Sequence, residues 1–301
     1  MKERILTIDG NWYLHRAFHT LRTGRPIEEA LPYHLMSMVC KDALVTRSNY
    51  LCVAFDGPRI FRYKVYPKYK WERHQRKGAP VDAEHSDLQK DDLYVYLPHV
   101  YKAFQDAGII MYQPRLAEAD DVLRSVAHAY EPQGYICIGG AQDKDGYQWL
   151  KPKRCMMWDP TYKNKAGETI GRYITADIAE QKVGVKIAQM CDYQTLIGDK
   201  GDSIPSIEGY GPATAKKILT QYGSIRNWYD KDKSIRQFLS QQQANLTRNR
   251  KLVTLRTDFV PPQELKEWKL PKIKPSNNRW IPRSYHDYHS FLWPRSKGLF
   301  G

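Results

Sequence analysis

The 301 residues contain no run of 18 apolar side chains, and mean hydropathy is −0.66. A bilayer-spanning helix is therefore not expected. The opening MKERILTIDGNW lacks the charged head, long apolar stretch and small-residue cleavage site of a secretory signal. Cysteine is scarce. Cys40, Cys52, Cys137, Cys155 and Cys191 are odd in number and far apart, with no CxxC pair. That argues against a disulfide framework and a zinc site, and for a reducing, cytoplasmic setting. No internal repeat or low-complexity block interrupts the chain. With 42% hydrophobic residues it is not a disordered sequence.

Positive charge is in excess. Lys and Arg number 47 against 33 Asp and Glu, for a net charge of +14. Such a balance suggests a polyanionic partner, nucleic acid first. The plainer alternative is that the charge only keeps the protein soluble, so its distribution decides.

The first half alternates strand-like and helix-like stretches. Ile5–Ile8, Leu51–Phe55, Ile109–Tyr112 and Tyr135–Ile138 are short apolar runs without alternation, the pattern of strands covered on both faces. Helical stretches lie near 28–45, 93–107 and 118–130. This order predicts an α/β fold with a central, mostly parallel sheet and helices on both faces. Residues 175–258 read as short helices separated by glycine, and 259–301 as a proline-rich extended tail.

Acids sit where the strands end. Asp9 closes the first run, Asp56 the second, and Asp143 and Asp145 follow the fourth. In an open parallel sheet the carboxyl ends of the strands form the ligand edge. Glu118, Asp120 and Asp121 open a helix, and Asp199 and Asp202 lie in Gly-Asp-Lys-Gly-Asp. Taken singly, an Asp after a strand is a turn residue and an acidic first turn is a cap. Converging together, they would repel one another unless cations neutralise them. Oxygen-only ligands select Mg²⁺ or Mn²⁺ over zinc, and two such ions suit phosphodiester hydrolysis.

Between 59 and 77 stand Arg59, Arg62, Lys64, Lys68, Lys70, Arg73, Arg76 and Lys77 against the single acid Glu72. Phe61, Tyr63, Tyr66, Tyr69 and Trp71 are interleaved. Cations that meet phosphates and rings that stack on bases suit a nucleic-acid strand. A second grip is Gly209-Tyr210-Gly211-Pro212, followed by Thr214, Lys216 and Lys217. The glycines allow a tight hairpin, Pro212 suits a first helical turn, and the open N–H groups bind phosphate. This is a helix–hairpin–helix type of arrangement. Lys200, beside the last acidic pair, joins the candidate nucleic-acid contacts.

Six motifs in order carry a family likeness: Asp9-Gly10 with Arg16, Phe55-Asp56-Gly57, Tyr69-Lys70-x-x-Arg73, Glu118-Ala-Asp120-Asp121, Asp143-Lys144-Asp145, and Gly198-Asp199-x-x-Asp202 running into Gly209-Tyr210-Gly211. Over about residues 4–255 the chain resembles the 5′ nucleases: flap endonucleases, the 5′-exonuclease domain of bacterial DNA polymerase I and phage 5′–3′ exonucleases. The resemblance implies DNA with 5′ ends, flaps or nicks as partner, two divalent ions, K⁺ as a further candidate at the hairpin, and a monomer. It places one ion on Asp9, Asp56, Glu118, Asp120 and Asp143, and the other on Asp121, Asp145, Asp199 and Asp202. It makes Lys70 and Arg73 the catalytic basic pair at the base of a helical arch within about 57–100, part of a core spanning 1–174. The sequence departs from the pattern at Gly146, Ser206 and Glu72, none of them a ligand position. Two alternatives stand beside this reading: an inactive protein that binds branched DNA, and an RNA-cleaving enzyme on a related fold.

Overall fold

The computed structural model describes residues 2–71, 92–271 and 281–292. Among these residues six strands form one sheet in the order β3-β2-β1-β4-β5-β6. They are β1 (Arg4–Asp9), β2 (Tyr50–Ala54), β3 (Ile110–Tyr112), β4 (Ile136–Gly140), β5 (Cys155–Asp159) and β6 (Arg172–Ile174). The first five pair in parallel and β6 closes the edge antiparallel to β5. In register, Asp9 lies beside Ala54, Ile8 beside Gly140 and Gly140 beside Trp158. Strands β1, β2, β4 and β5 therefore finish on one edge. Ile5, Leu6 and Ile8 of β1 are all fully buried, which is why the strand shows no alternation.

Among the described residues the helices are α1 (Gly10–Thr20), α2 (Ile27–Val45), α3 (Phe61–Val65), α4 (Leu97–Asp106), α5 (Ala119–Tyr130), α6 (Ala176–Val183), α7 (Met190–Ile197), α8 (Pro212–Tyr222), α9 (Ile225–Lys231), α10 (Arg236–Gln241), α11 (Gln243–Val253) and α12 (Arg283–Leu292). Helices α1, α2, α4 and α12 cover one face of the sheet. Helix α5 covers the other, in a core continuous with the helical part that follows β6. Val122, Leu123 and Val126 bury one stripe of α5. Each is worth about 1.5–3 kcal/mol, and a charge at Val126 would break that packing. Among the described residues no helix is long and apolar enough to cross a membrane.

The fold differs from the sequence expectation in three places. Helix α1 begins directly on Gly10, capped by the Asp9 side chain, and was not expected. Strands β5 and β6 are short and were not expected either. The tail is not simply extended. After a 3₁₀ turn at Leu265–Trp268 it supplies α12, which packs on α2 with Tyr285 and Tyr288 fully buried. Tyr285 Oη donates to the carbonyl of Ala107 at 2.8 Å. Much of the expected arch, including Arg73, Arg76 and Lys77, lies outside the described residues.

Candidate active site

Asp9 leaves β1 and caps α1, accepting from the Trp12 N–H at 3.0 Å. Asp56 follows β2 by two residues and accepts from the Ala119 N–H at 2.8 Å. That bond ties the end of β2 to the start of α5. It needs glycine next door, because a Cβ on Gly57 would lie 1.9 Å from the Pro114 carbonyl oxygen. Glu118 caps α5 and Asp120 stands in its first turn, where the helix dipole favours negative charge.

Asp143 caps a 3₁₀ turn over Lys144–Trp149, accepting from the Asp145 N–H at 3.0 Å. Gln194 of α7 donates to Asp145. Asp199 and Asp202 sit in the loop after α7. Gly198 starts that loop at φ +64°, and a Cβ there would lie 2.3 Å from the Ile204 carbonyl oxygen. Asp199 accepts from the Gly201 N–H at 2.8 Å and pairs with Lys144 Nζ at 2.9 Å.

These acids share one electrostatic neighbourhood. Burial, then Asp56 across from it, pushes the Asp9 carboxyl up to about 7. Burial, then Asp143 and Asp9, raises Asp120 well above the carboxylate range, and burial with Asp143 and Asp202 does the same to Asp145. Glu118 goes the other way. Burial would raise it, but Lys70 and Arg62 outweigh that and hold it at about 2. Lys70 Nζ pairs with Glu118 Oε1, and Tyr69 Oη stands 3.0 Å from both Glu118 Oε2 and Asp202 Oδ2, its one proton shared between them.

The set fits hard divalent cations. Every donor is an oxygen, like charges crowd one another, and the buried Oδ1 of Asp120 has no hydrogen-bond partner among the described residues. Among those residues no three acids already stand as a coordination shell. Glu118 pairs instead with Lys70, and Asp199 with Lys144.

The sequence matches the 5′-3′ exonuclease N-terminal resolvase-like domain over residues 4–184, and the 5′-3′ exonuclease C-terminal SAM fold over 185–276. The chain belongs to the 5′-3′ exonuclease family. It is 30% identical over 280 residues to a 5′-3′ exonuclease of Aquifex aeolicus, covering 90% of this chain and 88% of that one. It is 28% identical over 267 residues to DNA polymerase I of Bacillus caldotenax, covering 86% of this chain but only 28% of the polymerase. The fold is that of the bacteriophage T5 flap endonuclease in a pseudo-enzyme-product complex with DNA and metal ions, with a TM-score of 0.66 at 19% identity over 96% of this chain and 99% of that one. The T5 5′-exonuclease with bound zinc gives a TM-score of 0.64 at 20% identity, over 96% and 100%. This member of the 5′-3′ exonuclease family is thus a nuclease enzyme.

In this exonuclease-family chain, eight of the nine acids expected as ligands act on one another electrostatically, at the sheet edge and in the elements beside it. Asp121 is a correction. It is fully buried, held by Arg62 Nη1 and Nη2 at 2.6 and 2.9 Å, and it accepts from the Arg256 N–H at 2.9 Å. Its oxygens are spent inside the fold, where it also completes the cap of α5 with Glu118. Arg62 is corrected with it. Only 2% exposed, it also donates to Glu118 at 2.7 Å and to the Leu252 carbonyl at 2.8 Å, so it cannot reach a phosphate backbone. Tyr69 is buried as well, its hydroxyl bridging Glu118 and Asp202, so its ring is no stacking platform.

Lys200, Gly209, Gly211, Thr214 and Lys217 are exposed on the helical part. Gly209 adopts φ +80°, as a tight hairpin requires, and Pro212 opens α8. Lys216 parts from Lys217 and lines the cleft beside Asp199 and Asp202. No motif points to Asn249, which is fully buried and donates to the carbonyls of Thr195 and Pro205 at 3.1 and 2.7 Å. It fixes both flanks of the Asp199–Asp202 loop from a helix far along the chain. Gln142 and Asp159 were missed too. Asp159 accepts from Gln142 Nε2 at 2.8 Å and steadies the segment that carries Asp143.

Proposed function

We propose that this nuclease hydrolyses phosphodiester bonds of DNA bearing 5′ ends, flaps or nicks, with two divalent cations, Mg²⁺ or Mn²⁺, held at the acidic edge. The observation that carries this reading is the gathering of Asp9, Asp56, Glu118, Asp120 and Asp143 beside Asp145, Asp199 and Asp202, with the carboxyls of Asp9, Asp120 and Asp145 raised first by burial and then by the neighbouring acids. The first five suit one cation and the last three the other. When bound, such ions neutralise phosphate charge and supply hydroxide from water near neutral pH. Lys70 Nζ, fixed against Glu118, is a compact positive charge aimed at the same edge, and it suits charge that develops as the phosphodiester opens. The hairpin with Lys217 holds duplex backbone at a distance from the chemistry. The bacteriophage T5 relative crystallised with DNA and metal ions supports this assignment.

The test is direct. Flap, gapped and blunt duplexes carrying a 5′ label are incubated with the protein in Mg²⁺ or in EDTA, and the products are sized. Divalent-dependent release of short 5′ products is expected. No cleavage in Mg²⁺ or Mn²⁺, with binding retained, would support the inactive DNA-binding alternative.

A further inference from the structure

Beside the acidic edge lies a cleft of about 610 Å³ between the 142–147 segment, α6, α7 and α8. Asp143, Asp199 and Asp202 line it together with three lysines from three different elements: Lys144, Lys182 and Lys216. Lys144 is neutralised by Asp199 at 2.9 Å. Among the described residues the other two amines meet no carboxylate, although acids stand in the same cleft.

Both are steered rather than loose. Lys182, in the last turn of α6, donates from Nζ to Tyr147 Oη at 3.2 Å, and Tyr147 is fully buried. The Lys216 chain lies against Gly184, close enough that a Cβ there would come within 3.1 Å of its Nζ. Gly184 ends α6 at φ +81°, so the same turn that stops the helix opens the lane for Lys216. Amines that served only to neutralise the cleft's acids would stand on them, as Lys144 does. Lysines that line a cleft without an ion pair to its acids leave positive charge to complement an anion that comes from outside.

We propose that Lys182 and Lys216, with Lys144 behind them, form a phosphate subsite for a linkage next to the one cleaved. This rests on the nuclease reading of the acidic edge. The ligand is a nucleic-acid phosphodiester, recognised through its charge and not its base. Lys182 belongs to none of the sequence motifs, and only the fold brings it here.

The experiment uses the full chain in EDTA, so it reads binding whether or not the protein cleaves. A 5′-flap duplex is prepared with one uncharged methylphosphonate at each successive linkage around the junction, and affinities are measured by fluorescence anisotropy. Wild type should lose affinity at the contacted linkage. Lys182→Ala should bind the unmodified duplex about fivefold more weakly and show a salt slope shallower by about 0.9. Its deficit should then shrink by about 3.5-fold between 50 and 200 mM salt. It should also no longer respond to the methylphosphonate that hurts wild type. Lys216→Ala should show the same pattern at that linkage or its neighbour. Unchanged affinity and slope in both variants, or a methylphosphonate profile identical to wild type, overturns the subsite. Failure of the nuclease reading shows separately, as absence of divalent-dependent cleavage by wild type.

Discussion

The backbone N–H of Lys70 donates to the carbonyl oxygen of Asp202 at 2.9 Å. The contact joins the basic segment after β2 to the loop after α7. Lys70 has φ +55° and Ser203, next to Asp202, has φ +56°, so each side holds a non-glycine residue in the left-handed region. Such conformations cost about 1–3 kcal/mol each and persist where the surroundings fix them. Here the fixing contacts are the Lys70–Glu118 pair and the Tyr69 hydroxyl between Glu118 and Asp202. Lys70→Ala should lower the single-turnover rate at saturating enzyme by about 100-fold or more, the range for one lost electrostatic stabiliser. Affinity should change much less, because other basic side chains share the segment. Lys70→Arg should rescue in part, since a planar fork replaces a compact ammonium poorly. Weaker binding with an intact saturating rate would make Lys70 an ordinary phosphate tether.

Arg62 and Asp121 make the opposite case. Both are buried, and removing Arg62 leaves Asp121 charged and without its counterion. Arg62→Ala should cost about 3–5 kcal/mol in urea unfolding. The double variant Arg62→Ala with Asp121→Ala should recover part of that loss, because no lone buried charge remains. If Arg62→Ala leaves the urea midpoint in place and flattens the salt dependence of DNA binding instead, the arginine faces nucleic acid after all.

What the sequence could reveal follows from how local the signals are. Ile5–Ile8 and Leu51–Phe55 are buried on both faces and end in Asp-Gly, so the strands and the acids beyond them stand out together. Glu118 and Asp120 are visible because helix starts attract acids. The burial of Arg62 was not legible. Its partners, Asp121 and Leu252, lie 59 and 190 residues away, and a basic stretch mixed with aromatics looks the same whether it faces phosphate or a buried carboxylate. Helix α12 was hidden for another reason. Tyr285, Tyr288 and His289 keep helical spacing, but Pro261, Pro262, Pro271 and Pro275 before them made the whole tail read as extended.

The raised carboxyl of Asp9 gives a pH dependence with a definite sign. Its folded value of about 7 lies above the ordinary 3.8, so the folded state holds this proton more tightly than the unfolded chain does. That contribution to stability is complete below about 3.8 and is lost as pH rises through 7. In EDTA the melting temperature should therefore fall between pH 5 and pH 8, with Asp120 and Asp145 shifted in the same direction. Mg²⁺ binds the ionised form, so its stabilising effect should be larger at pH 8 than at pH 5. Asp9→Asn should flatten part of the EDTA profile. Thermal unfolding across this pH range checks both statements, and an equal Mg²⁺ effect at both ends would separate these acids from cation binding.

The hairpin glycines allow a cleaner test of nucleic-acid approach. Gly211 caps α8 at φ −77°, a value any residue adopts, and a Cβ there meets nothing within 4 Å. Nothing in the folded protein therefore demands glycine at this position. Gly211→Ala should leave stability within about 0.5 kcal/mol of wild type. A methyl group at the helix start would nevertheless stand where a phosphate has to reach the open N–H groups. Binding to duplex-containing substrates should fall by about tenfold, while binding to a single strand without duplex stays close to wild type. Lys217→Ala, further along α8, should lower the salt slope for the same duplexes by about 0.9. Titrations of flap, duplex and single-stranded probes at several salt concentrations measure all of this. Undiminished duplex affinity for Gly211→Ala, in a protein that melts as wild type does, would mean that the backbone of the duplex does not pack on this helix end.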